Sequence, residues 1–438
     1  MSEFNVSIPA GEKRRLKTGG KYCPADVLVN AEMPAKVVEK DVNFHDYDGT
    51  LLYSYTLAEA QTLTELPPLP EHEGLICQGW NWTLSDVKAL TRPMTIGAMY
   101  TTDDGATRLY LELPQNMTIT PHFKQTVANG VTIDWGDGSA TETVPGTGTV
   151  SKSHAYAEGG SYVISLKVTS GTLTPGWQMN NYNILGPYDY PYAPVYNSLV
   201  KAEIGDNVSV ISQRAFFRCF SLKSISVSSR IEYVEASSIG DCVALQFFVS
   251  PINNLTVGNY ALSNSLSLRG IALSNKVSRI GDGAFYWCRS LLRVDVPDNA
   301  AVSGVDTFRE NHVLRSVNTK SGFAPNGSHV LRGCYALTEC DIAEGTTEIG
   351  ANAFYTCYSL RKLVFPSALT SIAAMAFADC YGMREYDFTQ CAVVPTLANT
   401  NAFTNIHADC VIKVPAALYD EWIAATNWAT YASKIVSA

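Results

Sequence analysis

A side chain large enough to fill a core returns every 23 residues across the second half of this chain: Phe216, Ile239, Leu262, Phe285, Phe308, Leu331, Phe354 and Phe377. No insertion breaks the step. Six residues further along, the column reads Leu222, Leu245, Leu268, Leu291, Leu314, Leu337, Leu360 and Met383. Three beyond that it reads Ile225, Phe248, Ile271, Val294, Val317, Cys340, Leu363 and Tyr386. Every position in these columns is apolar. A unit this short cannot bury its own apolar face, so the units must stack on one another, with a different arrangement closing each end.

A period between 20 and 29 residues that contains Leu-x-x-φ-x-φ is the signature of a leucine-rich repeat, with one short strand and one helical or turn segment per unit. The expected fold is therefore mainly β and multidomain, with a solenoid of eight 23-residue units. The period breaks near the C-terminus, where Phe403 follows Phe377 by 26 residues. Val411 to Pro415 then lead into an amphipathic stretch with Leu418, Trp422 and Trp428, the expected cap. Cys219, Cys242, Cys288, Cys334, Cys357 and Cys380 share one column, with Ser265 and Asn311 in the remaining two units, which marks them as small buried fillers. Units carrying helical segments would stack about 10 Å apart. That is beyond the roughly 7 Å reach of a disulfide, so no disulfide ladder is expected.

The frame Ile349, Ala353, Phe354, Cys357, Ser359, Leu360, Leu363, Phe365, Pro366 resembles the BspA-type leucine-rich repeats of bacterial surface proteins, over residues 200 to 438. The resemblance implies an adhesion or ligand-binding scaffold.

Upstream, alternating strands (Arg108 to Leu113, Val131 to Trp135) meet a Gly136-Asp137-Gly138-Ser139 turn, a hairpin signal. With His154, Tyr156 and the alternation Gly160, Tyr162, Ile164, Leu166, Val168, this stretch resembles a PKD-type Ig-like β-sandwich. Asp134 and Asp137 lack the acid spacing of a calcium loop and read as turn residues. Before them come Phe44, Asp46, Asp48, Gly49, Thr50, then Pro67, Pro68, Pro70, then Gly79 and Trp80. The pattern is similar to the internalin-type B repeat, a small β-grasp-like module, in which Trp80 and Trp82 fill the core. Gly19 to Val29 look like β-segments near the start of phage tail-associated proteins. The expected order is thus an attachment segment (1–39), the β-grasp-like module (40–92), the Ig-like sandwich (93–172), a Tyr-rich linker or N-cap (173–199), the solenoid (200–392) and a C-terminal cap (393–438).

A net charge of −9 over 438 residues disfavours nucleic acid, whose non-specific affinity comes from Lys and Arg displacing counterions. No apolar run reaches the roughly 20 residues that cross a bilayer. The basic start (Lys13, Arg14, Arg15) has no apolar run behind it and so reads as lacking a signal peptide. The seven histidines form no metal motif, and no nucleophile elbow, P-loop or dinucleotide fingerprint occurs. The sequence calls for no catalytic residues, metal or cofactor.

Two surfaces remain as candidate binding sites. Trp177, Tyr182, Tyr188, Tyr190, Tyr192 and Tyr196 lie among Asn, Gly and Pro, the composition of a paratope, or else cap the first repeat. The outward columns of the repeat strands vary from unit to unit and include Phe247, Arg293, Glu339 and Lys362. These readings point to a non-enzymatic, tail-associated receptor-binding protein of a phage or prophage, located in the virion. It would meet a bacterial surface glycan or protein and attach to other tail proteins through its N-terminal segment. Homo-oligomers are compatible with this. A bacterial cell-surface adhesin is the alternative, and a cell-wall or carbohydrate-active enzyme a distant third.

Overall fold

The 23-residue units close into coils, most with two short strands and a run of turns, and the coils stack in parallel. A computed structural model describes residues 17–18, 21–22, 38–176, 182–187, 195, 197–251, 256–298, 300–302, 304–319 and 324–438. The chain forms two units, Met1–Val38 and Glu39–Ala438. In the first, Lys17–Thr18 pairs antiparallel with Lys21–Tyr22. The rest of the expected attachment segment lies outside the described residues.

In the second unit, one strand column includes Ser224–Ser226, Phe247–Val249, Gly270–Ala272, Arg293–Asp295, Ser316–Asn318, Lys362–Val364 and Glu385–Asp387. A second column includes Val210–Ile211, Tyr233–Val234, Thr256–Val257 and Arg279–Ile280, each pairing in parallel with the next. The three apolar columns read from the sequence all point inward and are buried, from Phe216 to Phe377, Leu222 to Met383 and Ile225 to Tyr386. Stacked rings join successive coils: Phe285 on Phe308 at 5.7 Å and Phe354 on Phe377 at 5.4 Å.

The segment carrying the bulky column is a succession of turns. Two positions per coil, four residues apart, have positive φ, as at Arg214 and Arg218, Ser237 and Asp241, or Asp306 and Glu310. This alternation turns every second amide toward the next coil, and a third backbone ladder results: Phe216 N donates to Ser238 O (2.7 Å), Phe285 N to Thr307 O (3.1 Å) and Phe354 N to Ala376 O (2.8 Å). Coils therefore stack at the strand spacing of about 4.8 Å. The 10 Å helical spacing expected from the sequence does not hold, and the argument against a disulfide ladder changes with it. Equivalent positions in parallel coils send their Cβ atoms in the same direction, whereas a disulfide needs them to converge. From Cys242 on, each thiol instead reaches the carbonyl of the bulky residue one coil back: Cys242 to Phe216 (3.1 Å), Cys334 to Phe308 (3.2 Å), Cys380 to Phe354 (3.1 Å). Asn311 does the same through its amide, 2.9 Å from Phe285 O.

Burial raises the thiol pKa values of the column, that of Cys288 to about 12, so the thiolate needed for reaction is absent near neutrality. Iodoacetamide should accordingly label exposed Cys77 in the native protein, while Cys219, Cys242, Cys288, Cys334, Cys357 and Cys380 react only in denaturant. Peptide mass mapping before and after unfolding checks this. Native labelling of the column would contradict it.

The small module has strands β1 (Val42–His45), β2 (Leu51–Tyr55), β3 (Leu75–Trp80) and β4 (Met94–Thr102), with helices α1 (Leu57–Gln61) and α2 (Leu84–Lys88). Both helices start on a threonine capping box, Thr56 with Glu59 and Thr83 with Asp86. The sheet order β2-β1-β4-β3, with β1 and β4 parallel at its centre, gives the expected β-grasp-like arrangement. Although the sequence reading drew the module's boundary at residue 92, β4 supplies a central strand of its sheet. Trp80 and Trp82 are buried, as expected.

The sandwich begins at β5 (Thr107–Leu113) and continues through β6 (Met117–Ile119), β7 (His122–Gln125), β8 (Val131–Asp134), β9 (Glu142–Thr143), β10 (Gly148–Ser151), β11 (His154–Tyr156), β12 (Gly160–Val168) and β13 (Leu173–Pro175). One sheet has the order β9-β8-β12-β5, and the facing sheet β10-β7-β13. Trp135 lies fully buried between them, its ring stacked on His154 at 4.6 Å. Asp134 and Asp137 are turn residues: they accept from Gly136 N and Ser139 N, and Asp137 also meets His154 at 2.7 Å.

The sandwich and the solenoid share a sheet. Strand β14 (Leu199–Glu203) pairs antiparallel with β5 on one side and parallel with Ser224–Ser226 on the other. The first sheet of the sandwich thereby closes the N-terminal end of the strand column. Ile184, Leu185 and Val195 add buried side chains to the same core.

At the other end the 26-residue step does not end the stacking. Phe403 lies on Phe377 at 5.2 Å, and Val411–Val414 and Ile435–Ser437 extend the strand column. Buried Trp422 and Trp428 then close the core against Phe388.

Candidate functional site

The outward strand face of the solenoid, chosen from the sequence as the more variable surface, is divided in two. Over its first coils it is covered by the small module. Met99 of β4 packs with Phe247, Val249 and Ala272 in a separate apolar cluster. Gly97 lies against the same residues so closely that an added Cβ would come within 2.6 Å of Val249. The amide of Asn81 donates to Ser250 O (3.1 Å) and Ala272 O (3.0 Å) and accepts from Gly97 N (2.9 Å). Trp82 Nε1 donates to Leu273 O at 2.8 Å, and Arg92 reaches Val296 O and Asp298.

Two of the residues selected from the sequence are taken up in this contact. Phe247 is buried beneath His45, with the rings stacked at 4.9 Å. Arg293 pairs with buried Asp295 at 3.1 Å, and both bond Thr95 of β4. Beside them runs a cleft of about 340 Å³ lined by Glu39, His45, Asp48, Phe247, Arg269 and Arg293, among others. Burial holds the His45 pKa below its ordinary 6.5 and outweighs the opposing pull of the Gly49 carbonyl, which lies 3.1 Å from its Nδ1. Since unfolding restores the higher pKa, the unfolded chain binds the proton more tightly. The stabilisation from neutral His45 is complete well above pH 6.5 and is lost as pH falls through 6.5 toward the depressed folded value. Thermal melts at pH 8 and pH 5.5 should therefore show a larger acid loss for the native chain than for His45→Gln. Equal losses would contradict it.

Beyond Ser316–Asn318 no described residue of the small module covers the strand face. Glu339 is exposed at the edge of a depression of about 470 Å³ that Asp341, Glu344, Arg361, Lys362 and Phe365 also line. Lys362 bridges Glu385 (2.7 Å) and Asp387 (3.5 Å), and Lys413 holds the other oxygen of Glu385 (2.8 Å). These lysines draw the carboxyl of Glu385 below its usual range. Among the described residues no three His, Cys, Asp or Glu side chains gather as metal ligands would.

Residues 192–269 and 255–384 match the family described as BspA type leucine rich repeat region, in six copies. The solenoid is built of leucine-rich repeats. Among solved structures, the chain is similar to a leucine rich cell surface protein from Faecalibacterium prausnitzii, at 17% identity over 56% of this chain and 90% of the other, with a TM-score of 0.28. It is similar also to a leucine-rich repeat protein from Bacteroides ovatus (16% identity, 60% and 91% covered, TM-score 0.25) and to the pneumococcal vaccine antigen PcpA (14% identity, 54% and 85% covered, TM-score 0.26). No curated protein matches.

Of the other residues picked from the sequence, Trp177, Tyr188, Tyr190, Tyr192 and Tyr196 lie outside the described residues, as does the side chain of Tyr182. The backbone at Tyr182–Asn183 pairs with Gly186–Pro187. The sequence reading missed the clasp made by Asn81, Trp82, Arg92 and Thr95, which bonds residues some 170 to 200 positions away and leaves no local pattern. It also passed over the repeat column just before the strand, which the same 23-residue count would have exposed: Lys223, Gln246, Arg269, Leu292, Arg315, Thr338, Arg361 and Arg384.

Proposed function

We propose that the chain is a non-enzymatic binding protein whose leucine-rich-repeat solenoid contacts a bacterial surface, and that it does so as a tail-associated receptor-binding protein of a phage or prophage. The observation behind this reading is the division of the strand face. The module seals its first coils, and the coils from Ser316 onward, farther along the stack from the shared sandwich sheet, stay open. The order of modules fits the same role, with residues 1–39 joining other tail proteins and the open coils meeting a glycan or protein of the host.

Immunogold labelling of purified particles should place the chain on the tail, and the purified full chain should bind whole host cells. Consistent absence from particles would sink the tail assignment. The BspA-type repeats support a second reading, a bacterial cell-surface adhesin, under which surface labelling of intact bacteria would replace labelling of particles. In both readings, incubation with host cell wall releases no product; steady product release would overturn them in favour of an enzyme.

A further inference from the structure

Five consecutive positions of every coil, at 219–223, 242–246, 265–269, 288–292, 311–315, 334–338, 357–361 and 380–384, contain no carboxylate, in a chain whose net charge is −9. They form the edge between the turns and the strand face. Lys223, Arg269, Arg289, Arg315, Arg361 and Arg384 stand on this edge, all exposed. Arg269 and Arg315 have no acidic partner among the described residues. Backbone bonds hold the column in direct register, from Arg269 N to Gln246 O (2.9 Å), Arg315 N to Leu292 O (2.9 Å) and Arg384 N to Arg361 O (2.8 Å). Arg269, Arg315 and Arg361 sit on alternate coils, so successive guanidinium groups recur about every 10 Å at the strand spacing.

Alongside, three positions earlier, a ladder of rings runs through the four coils from His312 to Tyr381. His312 stacks on Tyr335 at 4.5 Å, Tyr335 on Tyr358 at 4.9 Å and 10°, and Tyr358 on Tyr381 at 5.5 Å. Tyr358 and Tyr381 are 40% and 51% exposed. Because the rings cover one another's faces, their edges and the hydroxyls of Tyr335 and Tyr358 face outward. Nucleic-acid bases need open ring faces to stack on, whereas a phenol can donate to and accept from sugar hydroxyls.

We infer that this edge binds a linear polysaccharide carrying one carboxylate per disaccharide, with its sugars along the tyrosine ladder and its carboxylates on Arg269, Arg315 and Arg361. The alternate-coil spacing is comparable to a disaccharide in an extended β-linked chain, and a guanidinium pairs with a carboxylate through two parallel bonds. Carboxylates flank the edge on both sides, Glu339 and Asp341 on the strand face, and Glu310 on His312 (3.2 Å) and Asp379 on Tyr381 (3.3 Å) beside the rings, and confine the polyanion to the arginine column. The inference rests on the binding role proposed above and names its ligand.

Hyaluronate oligosaccharides are a suitable probe, titrated into the full chain at low salt, with dextran, poly-glutamate and oligo(dT) as comparisons. Hyaluronate should bind, more weakly as salt rises, and dextran should not. The triple variant Arg269→Glu, Arg315→Glu, Arg361→Glu should weaken binding at least tenfold and melt with Arg361→Ala, which loses the same bond to Gly382 O (2.8 Å), and Tyr335→Phe with Tyr358→Phe should weaken it severalfold. Absence of hyaluronate binding, equal binding of dextran, poly-glutamate or oligo(dT), or full retention by the triple variant would each overturn the inference. Whole-cell binding by the triple variant separates the two claims: if it persists, the surface-contact role stands and only the edge is wrong.

Discussion

Replacing Gly97 with valine should lift the small module off the solenoid while leaving both folded. The new side chain would point from β4 into Val249 and Ala272, where even a Cβ meets atoms at 2.6 and 2.9 Å. The module's own core lies on the other side of its sheet, around Phe44, Trp80, Ile96 and Tyr100. Overpacking of this kind costs about 1–3 kcal/mol. Opposing separation are the bonds from the Asn81 amide and the Trp82 indole to solenoid carbonyls, which water would replace at a net loss of only about 0.5–1.5 kcal/mol each. Hydrogen exchange should quicken at Met94–Thr102 and over Phe247–Ala272, with little change beyond residue 330. Unchanged protection across the seam would show that the contact contributes nothing.

Phe354→Ala should have the largest effect within the stack. Its ring is fully buried, stacks on Phe377, and its amide and carbonyl bond the coil after and the thiol of Cys380. Truncating a buried phenylalanine costs about 3–5 kcal/mol through lost transfer energy and the cavity left behind. In a one-dimensional stack that loss falls on one coil and its two neighbours. Denaturant melts should therefore become biphasic, with the coils beyond residue 331 opening first, while an exposed change on the same coil, such as Tyr358→Ala, moves the midpoint little. A single sharp transition shifted as a whole would show that the sandwich, module and solenoid unfold together.

The columns were legible because burial acts on each coil in the same way, so one spacing repeats at Phe216, Leu222 and Ile225 and at every successor. The turn geometry was not. Arg214, Trp287 and Glu310 take up positive φ with no glycine to announce it, because the ladder of amides to the next coil offsets the local cost. Reading those segments as helical led to a coil spacing twice the observed one.

Domain limits drawn from composition slipped where a strand serves a neighbour. Met94–Thr102 looks like the start of the sandwich yet sits between β1 and β3. Leu199–Glu203 reads as the beginning of the repeats yet also completes the sandwich sheet. Of the candidate site, Glu339 and Lys362 lie on the open coils, whereas Phe247 and Arg293 face the chain's own module. That pairing joins residues with no common periodicity, and only the folded chain brings them together.

Strand β14 belongs to two modules at once, so no hinge separates the base of the molecule from its repeats. Each further 23-residue unit would carry the tip outward by one strand spacing, about 4.8 Å, and would disturb nothing behind it. Length in such a stack is adjustable in fixed increments by duplication alone, with the sandwich end held constant.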